Sequence, residues 1–431
     1  RSGGGVRGMR EMKDSGIAWI GEIPDDWRII KNKNAFTCSK ELVGEKSELT
    51  QLLSLTTRGI KKKDINNAEG KLPESFDTYQ FVKENDLVMC LFDLDCSAVF
   101  SGISPYNGMI SPAYRVLSCK KCMEPKYADY WFQYISDGRK FNHYAKNIRY
   151  TLSYEEFSAL PLLLPERNEQ RRIADYLDRK CGQIDATIAR QQEVIEKLKA
   201  YKLSVITEAV TKGLNPDMPM KDSGVEWIGK IPEHWQVPKI KYLATIASGG
   251  TPDRSHPEYW NGSINWVKTG ELQNSELYET EEKITELALE NSSAKVFGVD
   301  TILVAMYGQG KTRGMTALLK VPSATNQACA GITVYSKDIT VSYLWLFLMG
   351  AYDAIREKAN GSGQPNLSGT LIADFNVTLP PIDEQMNICK TVAMRLPHID
   401  SIIEQKETIV DKLTAYKKSL IYEVVTGKKE V

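Results

Sequence analysis

No stretch of this chain is apolar for long enough to cross a bilayer. The longest apolar run, residues 341–349, is less than half of the roughly 20 residues that a membrane helix needs. No segment reads as a signal peptide. Residues 1–8, RSGGGVRG, read as an added leader, with the natural start expected near Met9. Charge of one sign is missing too: 55 Lys and Arg balance 55 Asp and Glu. No global field therefore draws the chain to nucleic acid or membrane, and any such binding has to come from local patches. Histidine is scarce, and His143, His234, His256 and His398 show neither metal nor triad spacing. Eight cysteines in 431 residues do not make a disulfide framework, and a reducing cytoplasm is the expected setting. One CxxC occurs, Cys119 to Cys122, without the second pair that structural zinc usually uses. Cys90 and Cys96 could complete a site, so a metal at Cys119 and Cys122 stays open, with free thiols the expectation.

The usual marks of catalysis are absent as well. No strand is followed by a Gly-rich loop of the S-adenosylmethionine-binding kind, and no Asn-Pro-Pro-aromatic tetrapeptide of the DNA amino-methyltransferase kind occurs. Residues 305–312, AMYGQGKT, do fit a relaxed phosphate-binding loop after the strand-like residues 301–304. A working loop needs a helix directly after its lysine, so that the helix N-terminus meets the phosphates. Here Arg313-Gly314 intervenes and a strand-like apolar run, residues 315–319, follows. NTP hydrolysis is therefore set aside, and the chain reads as non-catalytic.

What is present is a repeat. Residues 168–211 return at 383–426 with a constant offset of 215, and 16 of 44 positions are identical. Glu169-Gln170 falls on Glu384-Gln385, Ile184-Asp185 on Ile399-Asp400, and Ala200-Tyr201-Lys202 on Ala415-Tyr416-Lys417. Gly182 aligns with Pro397, and both are poor in a helix interior, so a break is expected there before a long helix. Downstream the apolar residues Ile184, Ile188, Ile195, Leu198 and Tyr201, and Ile399, Ile403, Val410, Leu413 and Tyr416, recur at coiled-coil spacing. Val194 and Ile409 widen the stripe beyond what a two-stranded seam needs, which leaves apolar area for helices of a partner.

A second repeat lies upstream of each helix. Residues 12–33 and 220–241 share 13 of 22 residues at an offset of 208. The tryptophans of their Trp-Ile-Gly-x-Ile-Pro-x-x-Trp pattern read as packing anchors. Between anchor and helix the two segments differ almost completely. Both show short β-type runs broken by Gly, Asn and Pro, with helical patches near residues 127–136 and 343–358. Apolar and charged contents of 42% and 26% fit a soluble globular protein. The fold class is α+β, with two tandem mixed-sheet domains and two long helices. A like scaffold with unlike loops suggests two related surfaces that read different targets.

The two-fold layout, GGTPDR…YWNG…WVKTGEL, Gln-Pro-Asn-Leu-Ser and Leu-Pro-Pro-x-x-Glu-Gln together resemble the specificity subunit of type I restriction–modification systems. The resemblance covers nearly the whole chain from Met12 to Lys428. In the first segment, Arg149-Tyr150-Thr151-Leu152-Ser153 stands where the second has Gln-Pro-Asn-Leu-Ser. The resemblance implies target-recognition domains at 9–165 and 213–381, a central helical spacer at 166–212 and a C-terminal one at 382–431. The spacers would be antiparallel, coiled-coil and related by pseudo-two-fold symmetry. Each recognition domain would read one half of a bipartite site in double-stranded DNA. The helices would set the spacing and dock two methyltransferase subunits, which would carry the S-adenosylmethionine, and a translocase–nuclease subunit can add to these. A helix over residues 183–211 is about 43 Å long, loosely matching the ~34–36 Å between half-sites one turn apart.

Candidate DNA contacts in the first domain are Thr57, Arg58, Lys61, Lys62, Lys63, Arg115, Arg149 and Tyr150. In the second they are Gly249, Gly250, Thr251, Arg254, Lys268, Thr269, Gln309, Lys311, Arg313, Gln364 and Asn366. Arg and Lys pair with guanine or phosphate, Gln and Asn with adenine, and glycines let backbone approach a groove. Two other readings stand beside this one. A coiled-coil scaffold would bind protein only, and an NTPase would use residues 305–312.

Overall fold

The computed structural model describes residues 10–57, 59–64, 73, 75–94, 100–137, 140, 144, 151–308, 310–359 and 366–431. The chain folds as two compact units, one of Arg1–Gln192 with Thr408–Val431, the other of Glu193–Glu407. The first long helix is Arg167–Lys212 and the second is Ile382–Val425. Each therefore contributes to both units. Neither breaks where the sequence suggested, because Gly182 and Pro397 both lie inside continuous helix. A helix-interior Gly costs about 1 kcal/mol and a Pro about 3. Tertiary burial on either side, at Cys181 and Ile184 in one helix and at Val392 and Ile399 in the other, offsets that cost.

In the first unit an antiparallel four-stranded sheet runs in the order Phe36–Ser39, Arg115–Cys119, Leu87–Met89, Ser101–Ile103. A hairpin, Leu53–Thr56 with Gly59–Lys62, and the pair Gln80–Val82 with Gly108–Ile110 stand beside it. A lone bridge, Leu52 to Met109, is parallel. The second unit is more evidently mixed. Its five-stranded sheet runs Ala244–Ser248, Cys329–Val334, Ile302–Ala305, Thr316–Leu319, Ser275–Leu277, with the last pair parallel. A four-stranded sheet around Trp260–Val267 packs beside it and also contains a parallel pair. The expected helical patches are Pro125–Ser136 in the first unit and Val341–Gly350 and Tyr352–Glu357 in the second.

The repeats explain how each unit grips its helices. Strands Met12–Asp14 and Glu22–Pro24 form a hairpin whose counterpart is Met220–Asp222 with Lys230–Pro232, in the same register. The hairpins lead into Trp27 and Trp235, both buried. Trp27 Nε1 donates to Glu169 Oε2 at 3.1 Å, and Trp235 Nε1 donates to Glu384 Oε2 at 2.9 Å. The neighbouring glutamines are fully enclosed. Gln170 Nε2 donates to the carbonyls of Cys122 and Pro165, and its Oε1 accepts from Glu124 N. Gln385 repeats the pattern with Asp338, Pro380 and Thr340 N. The Glu-Gln pair thus fixes the start of each long helix to its own unit.

The end of the other long helix closes the same unit. In the first unit Tyr127 Oη reaches the carbonyls of Leu163 and Val425. In the second, Tyr343 Oη donates to Val210 O at 3.2 Å. Gly427 and Gly213 follow the helix ends with positive φ, and a Cβ on Gly427 would lie 2.3 Å from Pro24 and 3.2 Å from Trp27. The helix segments pair antiparallel inside each unit. Lys202 meets Asp400 and Lys199 meets Glu407 in the second, and Lys417 meets Asp185 in the first. Lys202–Asp400 and Lys417–Asp185 are the same pair under the 215-residue offset. Leu177 and Ile184 share the first unit's main core with Leu420 and Val424. Ile206 and Val210 share the second unit's with Ile388 and Val392. Much of the stripe that was expected to await partner helices is therefore packed inside the two units of the same chain.

One half-buried carboxylate gives this packing a pH dependence. Asp129, on Pro125–Ser136, has its Oδ1 enclosed without a hydrogen-bond partner, while Oδ2 accepts from Gln133 at 2.9 Å. Burial pushes its carboxyl up to about 6. A raised carboxyl favours the protonated fold, so its contribution is complete below the unfolded value near pH 3.9 and is lost as pH rises through about 6. Asp129→Asn should therefore stabilise the first unit at pH 8, by about 2 kcal/mol, and give no gain at pH 4. Urea unfolding at the two pH values checks this, and an equal effect at both would refute it.

Candidate nucleic-acid interface

The topology of the five-stranded sheet gathers most second-unit candidates at one end. Ser248 ends its strand opposite Ala330, Ala305 opposite Cys329, and Val304 pairs with Thr316. Loops 249–259 and 306–315 and the turn before Cys329 therefore leave the sheet together. Gly250 N donates to Thr325 O, Thr251 Oγ1 to Gln327, and Met306 N to Ala328 O. Asn366 is exposed and adjoins the same rim, because Leu367 N donates to Met306 O at 3.0 Å. Gln309 and Gln364 lie outside the described residues.

Gly249 and Gly250 do not face outward. Both are buried, and a Cβ would fall 2.1 Å from Thr325 O at Gly249 and 2.4 Å from the Ser293 backbone at Gly250. Their small size is used inside the protein, which corrects the expectation that they meet a groove. Arg254 does face outward, 57% exposed in its side chain, and pairs with Glu282 at 2.8 Å. Lys268 is held by Glu281 at 2.7 Å and by Glu282 at 3.1 Å. Thr269 is half-buried and opens the tight turn Thr269–Glu271.

The loop after Ala305 is held from behind. Arg356 donates to Arg313 O at 2.7 Å and Gly310 O at 2.8 Å, and Tyr352 Oη donates to Lys311 O at 2.6 Å. Gly308, Gly310 and Gly314 all have positive φ, a path that side chains would resist. No helix begins after Lys311; turns lead straight to Thr316–Leu319. The geometry of a phosphate-binding loop is therefore missing. Lys311 is 82% exposed, with Glu196 Oε2 3.8 Å away. It stands at the mouth of a cleft of about 1210 Å³ in this unit, floored by Trp345, Met349 and Leu396.

In the first unit, Thr57 lies in the hairpin turn, and Lys61, Lys62 and Lys63 run along and just past its second strand. Lys62 Nζ sits 4.8 Å over the ring of Tyr106. No acidic side chain among the described residues pairs with these three lysines, unlike Arg254 and Lys268. Arg115 is half-buried in the four-stranded sheet, where its charge acts on the Cys38 thiol. Arg58, Arg149 and Tyr150 lie outside the described residues, as does Cys96. Cys119 is half-buried, and burial pushes its thiol up to about 12.

On the helices, Ile184, Ile195, Ile399 and Ile403 are buried, and Ile188, Leu198, Val410 and Leu413 are half-buried. Tyr201 and Tyr416, related by the repeat, are 58% and 53% exposed, and Val194 and Ile409 are 38% exposed each. The residues that sequence reasoning missed are the supporting ones: Trp260, Glu281, Glu282, Tyr352, Arg356 and Tyr106. Trp260 stands in the YWNG motif that was noticed, but its partner Arg254 lies six residues away around a turn that only the fold discloses.

The family model of the type I restriction modification DNA specificity domain matches residues 232–419. The type I restriction enzyme MjaIX specificity subunit of Methanocaldococcus jannaschii is 34% identical over 42% of this chain and 41% of its own length. The MjaVIII specificity subunit of the same organism is 24% identical over 94% of this chain and 93% of its own. Residues 232–419 thus match the type I restriction modification DNA specificity domain, and nearly the whole chain is similar to type I restriction enzyme specificity subunits.

A solved chain from work on complex assembly and conformational transition of the type I R-M system shares the fold of this chain. Its TM-score is 0.68 at 12% identity, covering 94% of this chain and 99% of that one. The matched domain is by its description a DNA specificity domain, and both relatives are by name specificity subunits. No helix among the described residues is long and apolar enough to cross a membrane.

Proposed function

We propose that each unit of this chain reads one half of a bipartite DNA site, and that the long helices set the gap between the halves. The observation that carries this reading is one mount repeated with two different sets of loops. Trp27–Glu169 and Trp235–Glu384, the Gln170 and Gln385 networks, and the Tyr127–Val425 and Tyr343–Val210 contacts recur as equivalent contacts in the two units. The loops between them share almost nothing. A repeated scaffold that keeps its anchors and varies its loops is suited to reading two sequences in one geometry.

Two methyltransferase subunits dock on the helices under this reading and supply the S-adenosylmethionine; a translocase–nuclease subunit can join them in the cytoplasm. The faces that support docking are the exposed Tyr201 and Tyr416 with their neighbours Val194 and Ile409. The buried isoleucines of the stripe serve the chain's own packing.

The test uses the assembled complex. Alanine at Lys61, Lys62 and Lys63 should weaken DNA binding and lower the slope of log K against log salt by about one per lost phosphate contact. The effect should be uniform across sequences. Alanine at Lys311 and Arg313 should weaken binding and act on the second half-site alone. Unchanged affinity and salt dependence in both sets would remove these loops from the interface.

A further inference from the structure

Among the cations at the recognition rim, Arg254 is held in an unusual way. Its guanidinium lies 4.0 Å over the ring of Trp260 and 5.3 Å from that of Trp266, and the two indoles meet edge-on at 5.1 Å. Trp266 is buried and donates through Nε1 to Gly250 O at 3.0 Å, while Trp260 Nε1 donates to Asp253 O at 3.3 Å. The indoles thus fix both the ring platform and the backbone on which Arg254 stands. Glu282 takes one guanidinium nitrogen, and its other oxygen holds Lys268, which Glu281 binds from a second side.

Charge counting within this cluster is informative. Arg254 and Lys268 are matched by Glu281 and Glu282, so the group is neutral and contributes little to sequence-independent attraction to phosphates. A phosphate contact needs a positive charge but not a fixed plane. Here an aromatic platform sets the plane of a guanidinium whose side chain is more than half exposed, and Glu282 holds it there by charge. A planar fork with fixed orientation matches the O6 and N7 acceptors of guanine.

We propose that Arg254 reads a guanine in the half-site of the second unit, with Trp260 and Glu282 as its positioning residues. Lys268 is a latch on Glu282 and not a DNA contact. The inference rests on the DNA-recognition reading above and names the residue and base through which that reading acts in this unit.

The experiment is methylation of a DNA library, randomised in both half-sites, by the complex of this chain with its methyltransferase partner, together with binding at several salt concentrations. Arg254→Lys keeps the charge and loses the fork. It should relax one guanine position of one half-site by roughly 10- to 100-fold, leaving the other half-site and the salt slope unchanged. Trp260→Ala and Glu282→Gln should relax the same position, and Trp260→Phe, which keeps a platform, should restore it. Lys268→Ala should leave the salt slope unchanged.

A loss uniform across sequences with a salt slope lower by about one would make Arg254 a phosphate contact and overturn the proposal. So would unchanged specificity in Arg254→Lys when the unaltered complex discriminates normally. An unaltered complex that methylates without sequence preference would instead overturn the recognition reading itself.

Discussion

Gln385→Ala should destabilise the 193–407 unit by about 3 kcal/mol, among the larger effects of any single substitution in this chain. Gln385 is fully enclosed, and its amide satisfies three backbone groups at once, Asp338 O and Pro380 O at 2.8 and 2.9 Å and Thr340 N at 2.8 Å. Removing it strands all three, and each unsatisfied buried partner costs about 1 kcal/mol or more. The deleted side chain also leaves a cavity at the start of the second long helix. Gln170→Ala should act equally on the first unit through Cys122, Pro165 and Glu124. Equilibrium urea unfolding followed by tryptophan fluorescence reads both changes. A loss below about 1 kcal/mol at either site would mean that the amide network does not fix the helix starts. The glutamines have no free surface, so variants that remain folded in the cold should keep their DNA specificity.

The second large effect concerns the gap between half-sites. Both helices pass from one unit into the other, the first between Gln192 and Glu193 and the second between Glu407 and Thr408. Lengthening one helix alone gives two connections that differ by about 6 Å for four residues, so one of them has to buckle and activity should fall. Inserting four residues after Gln192 and four more after Glu407 lengthens both connections equally. It also nearly restores the apolar face, since four residues make slightly more than one turn. The doubly lengthened chain should recognise unchanged half-sites separated by roughly two more base pairs, at about 3.4 Å each. Mapped methylation sites with the original gap and retained activity would show that the helices are not the ruler.

The repeat made much of this architecture readable in advance. Offsets of 208 and 215 placed Trp27 on Trp235 and Gln170 on Gln385 before any contact was known, and the structure shows that these pairs hold equivalent positions. Periodicity placed the long helices but missed their continuity. Gly182 and Pro397 are local penalties, and the burial that outweighs them comes from residues far away in sequence. The same non-local burial misled the reading of the apolar stripe. Ile184 and Ile195 have the spacing of a docking seam, and only the fold shows that the chain covers them itself.

At the end of the five-stranded sheet, residue type did not disclose what each side chain is held by. Gly249 and Gly250 look the same in sequence whether they admit a groove or a neighbouring carbonyl, and here Thr325 O decides. Lys268 and Lys311 are both lysines in loops, yet one is held by two carboxylates and the other is largely free at a cleft mouth. Nothing local in the sequence announces that Glu281 and Glu282 fold back onto Arg254 and Lys268. That pairing arises because the strand Glu282–Ile284 lies antiparallel to Trp260–Val267.

The central claim is that the two units read separate halves of one site, and methylation mapping across a whole genome tests it most directly. DNA would be taken from cells that carry this chain with its methyltransferase partner, and from cells carrying the Lys311→Ala, Arg313→Ala double variant. The account predicts two specified blocks separated by a constant unspecified gap, with the variant altered in one block alone. A single continuous motif, or a variant that changes both blocks together, would contradict it.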